Sequence, residues 1–246
     1  MDVATVSGIV LLAALAAGGA YAGQFTAALI NLHGVLIVLG GTAVAMLINS
    51  PAAYLRKAAL EIRSILAPED GMRPEKMIGP MVELAEQCRQ RGLAALKDAD
   101  PAAAGGFLAR AAAAALEYND YKFVKQVLEE EINQALDEKN EVANVYRTMG
   151  VMAPMFGLLG TLIGIIGVLK DLASPENVGP AMAMAITSAF YGIVFSNLVC
   201  VPVAGKIRAR GIMETHTRSM IMEGILEIMK GSLPMVVERR LQSFCR

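Results

Sequence analysis

The sequence predicts an all-α membrane protein with four transmembrane helices, a helical cytoplasmic insert and a C-terminal cytoplasmic helix. Composition is the first indication: 55% of the 246 residues are hydrophobic and the mean hydropathy is +0.48, more apolar than soluble domains usually are. The second is the placement of charge, since residues 3–55 contain no Asp, Glu, Lys or Arg. The third is periodicity, because the apolar positions recur at helical spacing and no segment alternates as a strand does.

Residues 3–55 have room for two membrane spans, because a helix needs about 20 residues to cross a bilayer. We expect these spans at residues 3–22 and 32–49, with a break near Gly23, Gln24 or Asn31. A cleaved secretory signal is the alternative for the first span. Asp2 in place of a basic segment, and a second apolar run directly afterwards, favour a retained span. Residues 1–50 are therefore predicted to form transmembrane helices 1 and 2.

Residues 51–147 are predicted to form a cytoplasmic helical domain. An amphipathic helix with Leu55, Ala59, Ile62 and Leu66 on one face should leave the membrane and lie on its surface. A helix over residues 74–90, ended by Gly92, should follow. After a loop at 98–106 and a helix at 107–117, a long helix should begin at residue 119 or 120 and continue into the next span. These helices cannot enclose a large core alone, so we expect them to pack on membrane helices or on other copies.

Residues 148–205 are predicted to form transmembrane helices 3 and 4, because residues 148–169 and 177–205 carry no charge. Both stretches are rich in the small residues that let membrane helices approach closely. Four glycines spaced by three, four and three residues share one helix face: Gly157, Gly160, Gly164 and Gly167. Close packing of backbones explains this face, and the lining of a narrow pore is compatible with it. Residues 206–246 should form a C-terminal cytoplasmic helix that ends at Gly231 and Pro234.

The polar groups of this hairpin are hydroxyls and prolines. Thr161, Thr187 and Ser188 either bond to backbone carbonyls within the helices or offer oxygen ligands to a partly dehydrated cation. Pro154 and Pro202 each remove a backbone donor at the same depth, which suggests a hinge. No predicted span contains an acid, so an ion path through this chain needs a carboxylate from a partner helix.

Basic residues indicate the orientation, because cytoplasmic loops carry an excess of Lys and Arg. They follow the second span, precede the third and follow the fourth, which places both termini in the cytoplasm. The flanking residues are Arg56, Lys57, Arg63, Arg147, Lys206, Arg208 and Arg210.

Several functional classes lack support. Three cysteines are an odd number, which argues against a disulfide framework, and no spacing suggests a metal site or a bound cofactor. No hydrolase elbow, P-loop, HExxH motif or pair of catalytic acids is present, so we do not expect an enzyme. No basic patch with interleaved aromatic residues suggests nucleic-acid binding. A charged cluster at one helix end is either a solvated turn or a contact site: Arg89, Arg91, Lys97, Asp98 and Asp100.

The sequence resembles the MotA/PomA family of flagellar motor stator proteins, within the wider MotA/TolQ/ExbB group, over nearly its whole length. The resemblance rests on MDVATVSGIV at the N-terminus, VLIVLGGTA in the second span, and APMFGLLGTLIGIIGVL, GPAMAMAITSAFYG and VPVAGKI in the hairpin. It is closest to the PomA-like branch, which is often driven by sodium.

The resemblance implies an ion-conducting stator subunit of the bacterial inner membrane. Five copies would surround two copies of a single-span, peptidoglycan-anchored partner of the MotB/PomB type, which supplies the ion-binding Asp. Flow of Na⁺ or H⁺ would turn the ring, and the cytoplasmic domain would act on the switch ring of the rotor. A TolQ/ExbB-like energiser of another envelope process, or a non-conducting membrane scaffold, remains the alternative.

The resemblance also implies residue roles. Arg89 matches the rotor-contact arginine, Lys97 stands where the family usually has Glu, and Asp98 and Asp100 match neighbouring acids. Pro154 and Pro202 match the hinge prolines. Thr161 matches a threonine associated with sodium use, whereas Ala189 replaces a second threonine and Asn31 replaces a frequent Asp, which leaves the coupling ion open. The predicted lining of the ion path is Thr161, Thr187, Ser188, Ala189, Gly160, Gly164 and Tyr191.

Overall fold

Helices make up almost all of the structure, a computed structural model that describes residues 3–21, 31–65, 73–118, 120–170 and 175–245. No strand occurs among these residues, so the all-α prediction is confirmed. The helices are α1 (Val3–Tyr21), α2 (Leu32–Val35), α3 (Gly41–Asn49), α4 (Ala52–Ile65), α5 (Pro74–Arg91), α6 (Phe107–Tyr118), α7 (Tyr121–Lys170), α8 (Pro175–Phe195), α9 (Val201–Met229) and α10 (Pro234–Gln242). Two π-helical turns, Leu36–Gly40 and Ser196–Cys200, join α2 to α3 and α8 to α9.

Three helical stretches in the described part of the chain are long and apolar enough to cross a membrane: Leu32–Asn49, Tyr121–Lys170 and Val178–Met229. The second predicted span therefore has the expected bounds. The N-terminal helix contains a shorter apolar stretch, Val6–Gly19. Large apolar side chains such as Leu158 and Ile186 are exposed on the surface of the chain, as expected where lipid or other subunits cover them.

The chain divides into two compact units, and the first comprises residues 1–68 and 141–207. One cluster of buried residues in this unit joins α3, α4, the middle of α7 and the start of α9, through Met46, Ala58, Tyr146 and Ile207. The Tyr146 hydroxyl donates to the carbonyl of Ala58 at 2.7 Å and ties α4 to α7. Of the predicted apolar face of α4, Leu55 packs against this cluster beside Tyr54, whereas Ala59 and Ile62 are exposed and Leu66 lies outside the described residues.

The second unit comprises residues 69–140 and 208–246 and has its own core. Helices α5 and α6 and the first part of α7 contribute Met81, Phe107 and Leu128, whereas α9 and α10 contribute Ile225 and Leu241; all five are at most 1% exposed. The neighbour that the insert needs is therefore the C-terminal segment of the same chain.

Several boundaries follow the sequence signals. Helix α5 begins with Pro74 and ends at Gly92, whose φ of +76° is a conformation that glycine adopts readily. Asp120 Oδ1 accepts from Lys122 N at 2.9 Å before α7, which runs through Pro154 to Lys170 as expected. The loop predicted at 98–106 is wrong in part, because two 3₁₀ turns occupy Leu93–Asp98 and Ala103–Gly106. Pro234 does not close the last helix but begins α10, which the pattern did not predict.

Candidate functional site

The second half of α7 and helix α8 form an antiparallel hairpin that small residues hold close together. A Cβ atom added to Gly164 would lie 2.6 Å from Ala185 Cβ, and one added to Gly160 would lie 2.5 Å from Ser188 Cβ. At Gly157 the nearest atoms are backbone, with Ser188 O at 2.9 Å and the Cα of Ala189 at 3.2 Å. The glycine face of α7 therefore packs on α8, and any larger residue there would separate the two helices.

Thr161 lies inside this contact and its hydroxyl bonds to backbone on both helices. Thr161 Oγ1 is 3.1 Å from Gly157 O in its own helix and 3.1 Å from Ala185 O in α8. A hydroxyl has one proton to donate and two lone pairs that accept. The donor is thus committed to carbonyls, whereas the oxygen lone pairs of this half-buried side chain are open to a donor or a cation.

Thr187 and Ser188 are buried where α8 meets α2. Their hydroxyls donate within α8, Thr187 Oγ1 to Ala183 O at 2.8 Å and Ser188 Oγ to Met184 O at 2.7 Å. A Cβ atom on Gly34 would lie 3.1 Å from Ser188 Oγ and 3.3 Å from Thr187 Oγ1. Gly34 was not singled out by its sequence context, because only the packing of α2 on α8 shows how little room a side chain would have there.

Tyr191 and Asn31 join the start of the second span to α8. The backbone N–H of Asn31 donates to Tyr191 Oη at 3.0 Å, and Asn31 Oδ1 accepts from Gly34 N at 3.1 Å, which caps α2. The polar residues of α8 named above therefore lie along the side of this helix that faces α2 and α7.

The two prolines lie at different positions within their helices. Pro154 is inside α7, and a Cβ atom on Gly192 would lie 3.0 Å from its Cα, so α8 passes directly over the proline backbone. Pro202 is the second residue of α9 and follows the π turn Ser196–Cys200. A π turn near Pro202 is physically reasonable, because the missing N–H disturbs the regular four-residue bonding.

The charged cluster lies at the end of α5 in the second unit. Arg91 Nη1 and Asp98 Oδ2 are 3.4 Å apart, and Asp100 Oδ1 accepts from Ala102 N at 2.9 Å. Arg89 and Lys97 are exposed to solvent. A surface cavity of about 310 Å³ beside Arg89 is lined by Cys88, Leu93, Ile228 and Ser232, among others.

The pKa of the Cys88 thiol at this surface is set by burial and by one neighbouring acid. Burial raises the pKa of the Cys88 thiol and the Asp98 charge raises it further, so this cysteine stays a neutral thiol at neutral pH. Among the described residues no group of three His, Cys, Asp or Glu side chains could hold a metal ion.

The fold and the site define a helical membrane protein with a close-packed, hydroxyl-bearing hairpin. The family model for the MotA/TolQ/ExbB proton channel family matches residues 101–220. A protein of Aquifex aeolicus named Motility protein A is 30% identical over 248 residues, which cover 97% of this chain and 94% of that protein. The chain belongs to the MotA/TolQ/ExbB proton channel family.

Three further matches cover nearly the whole chain. Chemotaxis protein PomA of Vibrio alginolyticus is 28% identical over 250 residues, which cover 99% of this chain and 95% of the relative. The flagellar MotAB stator complex from Bacillus subtilis contains a chain that matches with a TM-score of 0.88 at 26% identity, with 100% of this chain and 96% of the other covered. The MotAB structure of C. jejuni has the same fold, with a TM-score of 0.89 at 24% identity over 99% of this chain and 96% of that chain.

Proposed function

We propose that this chain is an ion-conducting stator subunit of the bacterial flagellar motor. The observation that carries the proposal is the absence of any acid from residues 148–169 and 177–205, in a chain similar over its whole length to motility proteins and to a chain of a stator complex. The chain then crosses the inner membrane four times, with α1 as the first span and both termini in the cytoplasm. The basic residues beside the spans support this orientation.

The missing acid defines the partner. A single-span, peptidoglycan-anchored protein of the MotB/PomB type supplies an Asp, and five copies of this chain surround two copies of it. Thr161, Ala189 and Tyr191, which are only partly buried, line the side of the path that this chain contributes. Gly160, Gly164, Thr187 and Ser188 are buried and hold the helices together behind it. The membrane potential supplies about 2.3 kcal/mol for each unit charge per 100 mV, so rotation proceeds in many small steps.

Torque passes to the rotor through the second unit. Arg89 and Lys97 are exposed cations, and Asp98 and Asp100 are exposed acids that follow Lys97 in the chain. An exposed surface of mixed charge suits a contact that forms and breaks repeatedly, because solvated charge pairs are individually weak. Lys97 stands at the position of the family's Glu, and either Lys97 or Asp98 serves in the rotor contact.

The first experiment is deletion of the gene, followed by complementation with this chain and with its partner. We expect loss of swimming on deletion and recovery only when both proteins are present. Unchanged swimming in the deletion strain, together with a defect in outer-membrane transport, would favour the TolQ/ExbB-like alternative instead. Co-purification with a peptidoglycan-binding, Asp-bearing partner would argue against a non-conducting scaffold.

The coupling ion is tested at Thr161. In wild type, swimming speed is measured across sodium concentrations at constant ionic strength. We expect a dependence on sodium that shifts in Thr161→Ala, because this change removes an oxygen from the hairpin contact. Thr161→Ser retains the hydroxyl and serves as the control that should keep the wild-type dependence. A wild-type speed that does not respond to sodium would assign the coupling to protons.

A further inference from the structure

Pro154 leaves one carbonyl of α7 without its regular donor. In an α-helix each carbonyl accepts from the N–H four residues later, and for Gly150 that residue is Pro154, which has no N–H. The proline ring also crowds this carbonyl and turns it away from the helix axis. Within a membrane such a group must find another partner, since no water is available in the hydrocarbon region.

Ser196 is that partner. Ser196 Oγ donates to Gly150 O at 2.6 Å, and the serine is 6% exposed. The bond crosses from the π turn after α8 to α7, between residues 46 positions apart in the sequence. It is therefore a tertiary bond that takes the place of a helical N–H···O bond.

The neighbouring residues make room for this bond. A Cβ atom on Gly150 would lie 3.3 Å from Cys200 Cβ and 3.5 Å from Ser196 Oγ, so a side chain at this position would press on the π turn. A Cβ atom on Gly192 would lie 2.7 Å from Ala153 O. One glycine on each helix thus makes room near Pro154, Gly150 for side chains of the π turn and Gly192 for the backbone of Ala153 and Pro154.

The backbone of Ser196 belongs to the turn that precedes the second proline. Ser196 O accepts from Val201 N, a bond spanning five residues, and Pro202 follows directly. One serine therefore bonds to the carbonyl freed by Pro154 and also takes part in the turn before Pro202.

We propose that Ser196 is a positioning residue that replaces the missing N–H of Pro154 and holds α7 against the π turn before Pro202. The functional part of this proposal rests on the proposed function. If the helix bends at Pro154 during ion passage, the bend must strain or break the hydrogen bond between Ser196 and Gly150. Ser196 touches no ion in this role and acts through the backbone of the hinge.

A double-mutant cycle tests the bond. Wild type, Ser196→Ala, Pro154→Ala and the double variant are each purified in complex with the partner, and their thermal midpoints are compared. Ser196→Ala should lower the midpoint by a few degrees, on the order of 3 °C, when Pro154 is retained. In the Pro154→Ala background the loss should be much smaller, because an alanine at this position supplies its own N–H to Gly150 O. Equal losses in the two backgrounds, or no loss in either, would overturn the proposal.

Thr217→Val is the matched control. It removes a buried hydroxyl that donates to Met213 O at 3.1 Å within α9, so its effect on the midpoint should be the same in both backgrounds. If the Pro154→Ala complex does not assemble, Ser196→Ala is compared with Ser196→Thr, which retains the hydroxyl. Equal midpoints for these two variants would overturn the proposal as well.

Motor output provides the functional measurement. Ser196→Ala should swim more slowly at wild-type protein levels, and Ser196→Thr should recover speed. Wild-type speed in Ser196→Ala would overturn the functional part. The two proposals fail separately, since deletion of the gene without a motility defect removes the stator function but leaves the result of the melting cycle unaffected.

Discussion

The hydrogen bonds of Thr161 are compatible with both interpretations of the hairpin hydroxyls, helix packing and cation binding. The Thr161 proton serves backbone carbonyls of α7 and α8, as the packing interpretation predicts. Its lone pairs are not used by those bonds, so a cation remains chemically possible at the same atom. Thr187 and Ser188 are buried and donate within their own helix, and in that respect resemble ordinary membrane threonines and serines.

At the scale of single residues, the prediction concerns the contact of Arg89 with the rotor. Arg89→Glu reverses an exposed charge at the end of α5, so the fold should tolerate it while the contact with the rotor weakens. We expect slower swimming with ion influx retained, measured as speed and as influx in the same strain. Arg73→Glu reverses an exposed charge at the other end of α5 and should swim normally. Normal swimming in Arg89→Glu would remove this residue from the torque role.

At the scale of elements, the contact of α7 with α8 depends on the absence of side chains. The glycine spacing was evident in the sequence and indicated one packed face. It did not indicate which helix that face meets, because every helix with small residues is a possible partner. Gly34 and Gly192 became apparent only once α2, α7 and α8 were in place.

Gly164→Ala tests that contact. The added methyl group would lie 2.6 Å from Ala185 Cβ and 2.8 Å from Ala181 O, so the helices must separate, and the thermal midpoint of the complex should fall. Gly179→Ala in α8 meets nothing within 4 Å and should be neutral or slightly stabilising. Adding Ala185→Gly to Gly164→Ala should restore part of the loss. A midpoint unchanged by Gly164→Ala would show that the contact is looser than the structure has it.

The junction of α9 and α10 depends on one buried carboxylate. Glu227 accepts from Ser232 Oγ at 2.7 Å and from Lys230 Nζ at 2.9 Å. These bonds, with that of Ser232 the largest contribution, lower the pKa of Glu227 below its usual 4.5. Lys230 Nζ also lies 4.4 Å from the centre of the Tyr121 ring, which links the junction to the start of α7.

This lowered pKa predicts a pH dependence of stability. Because the folded pKa lies below the unfolded one, the stabilisation is complete above about pH 4.5 and is lost as the pH falls through the folded value. Glu227→Gln should lower the thermal midpoint at pH 7 and reduce its fall between about pH 5 and about pH 3, a range set by that pKa. Glu117→Gln, at an exposed position of α6, should keep the wild-type pH profile. A parallel profile in Glu227→Gln would contradict this role.

At the scale of the whole molecule, the chain closes the core of its second unit with its last segment. Helices α5 and α6 present apolar faces that are covered by α9 and α10, which come much later in the sequence. The sequence indicated that residues 51–147 could not bury a core alone. It left open what would cover them, since other copies and membrane helices are equally apolar.

Leu241→Ala tests this closure. Leu241 is fully buried, so the truncation should cost about 2–5 kcal/mol of the free energy of unfolding, as large-to-small core substitutions usually do. Limited proteolysis of the complex should then cut residues 73–140 faster. Val236→Ala in the same helix is the control, because Val236 is 48% exposed and its loss should change little. Equal protease sensitivity of the two variants would show that α10 is dispensable for the core.

The sequence by itself determined the helical class, the second span, the ends of α5 and the unbroken course of α7. These features depend on local signals, namely apolar runs, proline at a first turn, glycine at a helix end and the absence of a breaker. The motifs of the hairpin also identified the family. The rotor-contact and ion-path residues stay predictions, because they act on partners that lie outside this chain.

The tertiary structure alone decided which surfaces meet. It packed Tyr54 and Leu55 of α4 against the cluster that contains Ala58 and Tyr146, and left Ala59 exposed. It also paired Ser196 with the carbonyl that Pro154 frees, and covered the insert with α9 and α10. The reason is common to all three: the hydrogen bond or apolar contact is made with residues distant in the chain, and a local pattern specifies a face but not its partner.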